Sequence, residues 1–146
     1  MTQEDKELLL QDLCARLSYG VKILHTGWDC DGDTDFDTIE TLIGIDDKFI
    51  YTVWDKTGDR EKHCLSVSNW KPYLRPMSSM TIEEHRDWIK YSKANYDCEF
   101  QPEPTFDFES CILSINWLNK NHFDYRDLIP KGLAIAVTEE NNPYEN

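Results

Sequence analysis

Between residues 38 and 67 the apolar side chains adopt a two-residue period, and this limits the folds open to the chain more than any other feature. Thr38 to Ile45 and Lys48 to Trp54 flank Asp46-Asp47, a tight-turn pair. In the second segment Phe49, Tyr51 and Val53 share one face, and Ile50 and Trp54 take the other. Lys56-Thr57-Gly58-Asp59 reads as a second turn. Glu61 to Val67 follows as a strand in which His63, Leu65 and Val67 alternate, and Val21 to His25 is a short strand ahead of them. The expected unit is a three- to four-stranded antiparallel meander, able to curl into a small partly open barrel.

Helical spacing brackets this section. Thr2 and Asp5 have capping-box spacing, and Leu9, Leu10, Leu13, Cys14 and Leu17 then form one stripe that stops at Gly20. Thr81 to Glu84 is a second capping box, opening a helix through Ile82, His85, Trp88 and Ile89 to about Tyr96. Past Pro102 and Pro104, the residues Phe108, Cys111, Ile112, Ile115 and Leu118 define a third helix with an apolar face. Asn69 to Met80 contains Pro72 and Pro76 and is expected as an extended strap across the core, because proline removes a donor and disfavours helix before it. Leu133 to Val137 can add an edge strand. The fold class is α+β, with the meander packed against about three helices. Residues 1–137 form a single domain and 138–146 a polar, frayed C-terminal tail.

A chain of 146 residues suits one core. Five Trp, seven Tyr and six Phe are too many for a disordered chain. No run approaches the ~18 apolar residues of a membrane span, and Met-Thr-Gln-Glu-Asp-Lys is no secretory signal, so a cytoplasmic protein is expected. The five cysteines, at 14, 30, 64, 98 and 111, are odd in number and lack C-x-x-C spacing. They read as small core residues rather than as a disulfide framework or zinc ribbon. A net charge of −13 argues against direct contact with phosphate backbones.

Residues 29–40 are the densest in candidate chemistry. They carry six carboxylates and no base, and Asp29, Asp31, Asp33 and Glu40 fall at positions 1, 3, 5 and 12 of a calcium loop. Asp35 would offer its carbonyl, Asp37 would act directly or through water, and Glu40 would be bidentate. Thr34 stands where such a loop needs glycine, and the flanks read as strands rather than helices. The preferred reading is therefore a solvated acidic connection, with Ca²⁺ as the alternative and no cofactor otherwise expected. Phe123, Asp124, Tyr125 and Arg126 form either a recognition patch or a helix junction capped by Asp124. His25, His63, His85 and His122 are scattered; a transition-metal site would need the fold to gather them, and partly buried or surface histidines are expected. No serine or cysteine sits in a nucleophile motif, and there is no phosphate-binding glycine loop, so no enzyme is expected.

Three segments carry a wider similarity: Asp12 to Leu17 with Tyr19 to Lys22; Lys71 to Thr81; and Trp117-Leu118-Asn119 with Phe123 to Arg126, Leu128-Ile129 and Lys131 to Ala134. On these the chain resembles a group of short, uncharacterised proteins from gut anaerobes and their phages and mobile elements. The resemblance implies an accessory protein of such a setting and assigns no residue a role. The expected function is a non-enzymatic interaction module with a protein partner. The alternatives are an acidic mimic of nucleic acid that inhibits a DNA-binding protein, and a calcium binder.

Overall fold

The computed structural model describes residues 1–28, 35–65, 69–92 and 108–145, which hold three α-helices and one six-stranded sheet. Helix α1 (Gln3–Arg16) starts where its capping box places it. Thr2 accepts from the Asp5 backbone, and the Asp5 carboxylate accepts from the Thr2 N–H. The strands are β1 (Lys22–Trp28), β2 (Asp35–Ile45), β3 (Phe49–Trp54), β4 (Arg60–Cys64), β5 (Trp70–Leu74) and β6 (Ile135–Ala136). Their order across the sheet is β4-β3-β2-β1-β5-β6. β1 to β4 form the expected antiparallel meander, while β6 joins β5 in parallel.

The sheet is longer than expected and stays open instead of curling into a barrel, with β4 and β6 at its edges. The proline segment is the cause. Trp70–Leu74 is a true strand, pairing with β1 on one side and β6 on the other. Pro72, opposite Ile23, has no N–H to give. The phenol of Tyr144 bridges the strands beside it, accepting from the Lys22 N–H at 3.1 Å and donating to the Tyr73 carbonyl at 2.8 Å. The tail expected to fray is therefore anchored at Tyr144, with Pro143 buried beside it. On the outer edge, Arg60, Glu61 and Lys62 are all exposed, and these charges discourage further strand addition.

Leu9 and Leu13 of α1 pack on Val21, Ile23, Leu42, Ile50, Leu65, Trp70 and Leu74, with Leu128 and Ala134 closing the core. Burying each large aliphatic side chain contributes about 1.5–3 kcal/mol. The buried face of α1 is rotated from the expected stripe: Asp12 and Arg16 are inside and Cys14 is exposed. Arg16 explains this. Its guanidinium donates to both Asp12 oxygens, at 2.6 and 3.0 Å, and to the Phe123 carbonyl at 2.7 Å.

Helix α2 (Ile82–Ser92) starts at the Thr81–Glu84 capping box, and Glu84 also forms a two-bond pair with Arg75. Helix α3 (Phe108–Lys120) corrects the expected apolar face. Ser110, Ser114 and Leu118 are buried, while Ile112, Leu113 and Ile115 are exposed. Anchors at the end of α3 set its rotation: Leu118 and Asn119 are buried, and Trp117 stacks on Phe123 at 5.7 Å. No helix among the described residues is long and apolar enough to cross a membrane.

Removing one partner of the buried pair leaves an uncompensated charge, so Asp12→Ala should lose about 3–5 kcal/mol of stability. The double change Asp12→Leu with Arg16→Met should recover part of that loss. Urea unfolding of the three proteins checks both, and a loss below 1 kcal/mol in Asp12→Ala would show that the pair does not hold α1.

Candidate metal centre

Strand alternation decides which side chains meet. His25 lies opposite Thr38 in the β1–β2 ladder, Leu42 opposite Thr52 between β2 and β3, and Ile50 opposite His63 between β3 and β4. His25, Thr38, Glu40, Thr52 and His63 therefore share the face on which Ile23, Leu42 and Ile50 meet α1. Near the helix that face is aliphatic; further along it becomes polar.

Glu40 is the centre of this polar patch, with its side chain only 1% exposed. His63 Nε2 is 2.6 Å from Oε2, and the Thr52 hydroxyl donates to the same oxygen. Thr38 donates to Oε1 at 2.8 Å, and His25 Nδ1 lies 3.3 Å from it. Each carboxylate oxygen thus meets one hydroxyl and one imidazole. The two imidazole rings lie 4.2 Å apart between centroids. Phe36 crosses the outer end, its ring over Gly27 where a Cβ would sit 2.2 Å from it, and edge-on to His25. Only glycine at 27 leaves room for that ring.

Burial alone would raise the Glu40 pKa. The hydrogen bonds from His63, Thr52 and Thr38 outweigh it and hold the carboxyl at about 2. His25 is shifted down, first by desolvation and then by the neighbouring His63, against the pull of Glu40. Both shifts favour a carboxylate and a neutral imidazole, the forms a metal ion needs.

His25, Glu40 and His63 each offer one ligand atom, and these atoms all lie within 4.8 Å of one another. Tetrahedral zinc with bonds of about 2.0–2.1 Å separates its ligands by ~3.3 Å. The 3.3 Å from His25 Nδ1 to Oε1 already matches this; His63 Nε2 lies 2.6 Å from the other oxygen, Oε2, so an ion would have to widen that contact and take one oxygen or straddle both. Two imidazoles and a carboxylate suit zinc and its transition-metal neighbours rather than calcium.

The histidines expected as separate residues are therefore partly brought together: His25 and His63 meet, while His85 is exposed and His122 is buried elsewhere against Tyr144. Burial, with Arg16, Arg75 and Lys22 nearby, pushes His122 down to about 4. The calcium set divides. Asp29, Asp31 and Asp33 lie outside the described residues, and Asp35 pairs with Trp28 at the start of β2. Asp37 is exposed and accepts from Thr26, whereas Glu40 takes the opposite, buried face, so these two cannot ligate one ion.

At Phe123 and Asp124 the segment packs as the junction alternative, not as a patch. Phe123 and Asp124 are buried, and Asp124 accepts from the Leu128 and Ile129 N–H groups at 2.8 Å each. Tyr125 and Arg126 are half-buried around Arg16 and Asp12. Phe123 and Asp124 thus form an internal junction and are not offered to a partner. No protein-family model, curated protein or solved structure matches the chain.

The depressed Glu40 pKa has a defined pH signature. Its stabilisation is fully present above the ordinary value of 4.5 and is lost as pH falls toward about 2. It amounts to about 3 kcal/mol. In chelator-treated protein, Glu40→Gln should show a correspondingly flatter acid limb in urea unfolding between pH 4.5 and 2. Parallel stability curves for the two proteins would show that Glu40 carries no such term.

Proposed function

We propose that this protein binds a divalent transition-metal ion of the zinc class through His25 Nδ1, Glu40 and His63 Nε2. The observation that carries the reading is the convergence of three strong ligands from three strands, with their donor atoms within 4.8 Å. A bound ion replaces the proton that joins His63 to Glu40. It also takes the place of the proton between His25 Nδ1 and the same carboxylate. The His25 side chain is 18% exposed while Glu40 and His63 are nearly closed off, so solvent and the ion approach past His25 and Phe36. Three protein ligands leave a fourth position for water or a small anion.

The test is titration of chelator-treated protein with Co²⁺, read by its d–d absorption, followed by displacement with Zn²⁺. Saturable 1:1 binding is expected. His63→Ala and Glu40→Ala should each weaken it by more than the ~10–100-fold typical of outer-shell changes. Absorption that does not saturate, or that persists equally in both variants, would reduce the cluster to a buried hydrogen-bonded network that secures the sheet.

A second reading, recognition of a protein segment, draws on α3. Ile112, Leu113 and Ile115 are 58%, 40% and 42% exposed in a chain of net charge −13. The fitting partner is an amphipathic segment with an apolar stripe and lysine or arginine beside it. Fluorescence anisotropy with a labelled Leu/Lys amphipathic peptide should show binding that Ile112→Asp with Ile115→Asp abolishes. Equal binding by the double variant would remove this reading.

A further inference from the structure

We infer that Asn69 is the positioning residue of the metal centre, and that its amide turns over when the ion binds. The inference rests on the metal reading above. Asn69 directly precedes β5, and its backbone is fixed there, since its carbonyl accepts from the Thr26 N–H of β1 at 2.8 Å. Its side chain reaches the remaining nitrogen of His25, with Nδ2 at 3.1 Å from Nε2. Nδ2 can only donate, so His25 Nε2 accepts and the ring proton sits on Nδ1, directed at Glu40 Oε1 3.3 Å away.

That tautomer cannot bind a metal through Nδ1, because the lone pair needed there is replaced by N–H. On loading, the Nδ1 lone pair goes to the ion and the ring proton moves to Nε2. Nε2–H then needs an acceptor. Asn69 supplies one without moving its backbone: a half-turn of the amide exchanges Nδ2 for Oδ1 at the same place. A ligating histidine whose second nitrogen donates to a fixed acceptor is the usual outer-shell arrangement, and it raises the basicity of the ligand. Of the residues that hold the His25 ring, Phe36 meets it edge-on and contributes no acceptor. An aspartate at 69 would accept permanently and favour the metal-bound tautomer, whereas alanine would leave Nε2–H without this partner.

The experiment compares Co²⁺ affinity and d–d spectrum in wild type, Asn69→Ala and Asn69→Asp, each first checked for folding by circular dichroism. Asn69→Ala should bind about 10–100-fold more weakly, and Asn69→Asp should bind at least as tightly as wild type. In ¹⁵N-histidine-labelled wild type, Zn²⁺ should shift the His25 proton from Nδ1 to Nε2, a readout that needs no variant. Wild-type binding with an unchanged affinity in Asn69→Ala, or a His25 ring that keeps its proton on Nδ1 when loaded, overturns the role of Asn69 alone. Absence of Co²⁺ binding in wild type overturns the metal reading and this inference with it.

Discussion

A carboxylate taken out of water must be surrounded by donors or it will not stay ionised. Glu40 meets that requirement with side chains from each of the first four strands: His25 of β1, Thr38 beside it on β2, Thr52 of β3 and His63 of β4. The polar half of the sheet is organised around this one group. A slip of one residue in any of the three ladders would turn a donor to the opposite face and strand the charge. The network therefore fixes register where the aliphatic contacts of Ile23, Leu42 and Ile50 run out.

The same arrangement explains why the site is pre-shaped. Its ligands stand on paired strands rather than loops, so their spacing is set by the ladder. The Thr38 and Thr52 hydroxyls hold the carboxylate from two sides, leaving Oε1 to His25 and Oε2 to His63. A divalent ion would take the place of the protons between the imidazoles and the carboxylate, with the His63–Glu40 contact opening to admit it.

Local signals in the sequence are legible because they depend on a few adjacent residues. Both capping boxes, the Asp46-Asp47 turn and the alternation that separates Ile50 from Phe49 and Tyr51 are of this kind. The misread features depend on distant partners. Pro72 argued for a strap, yet β5 is a strand because Tyr144, far along the chain, bridges the bonds beside the proline. Asp12 and Arg16 broke the expected apolar stripe of α1 because the Phe123 carbonyl waits for the guanidinium. Ile112 and Ile115 formed a regular face that the anchors at Leu118 and Trp117 turn outward.

The candidate metal centre falls between these cases. His63 lies in a strand whose alternation is legible, but alternation carried back from Ile50 to its partner Ile45 puts Glu40 on the opposite face. The register shift between Leu42 and Gly44 is what sets Thr38 and Glu40 beside Thr52 and His63. The acidic run hides the group further. Glu40 was counted as the twelfth position of a loop, where its neighbours are aspartates, when its parity in β2 separates it from Asp37 and sets it beside threonines and histidines. Charge density along the chain allows a hard-cation loop only as the alternative to a solvated acidic connection. Strand parity, together with the shift between Leu42 and Gly44, decides which side chains face each other and gathers a nitrogen-rich set that would suit a softer ion.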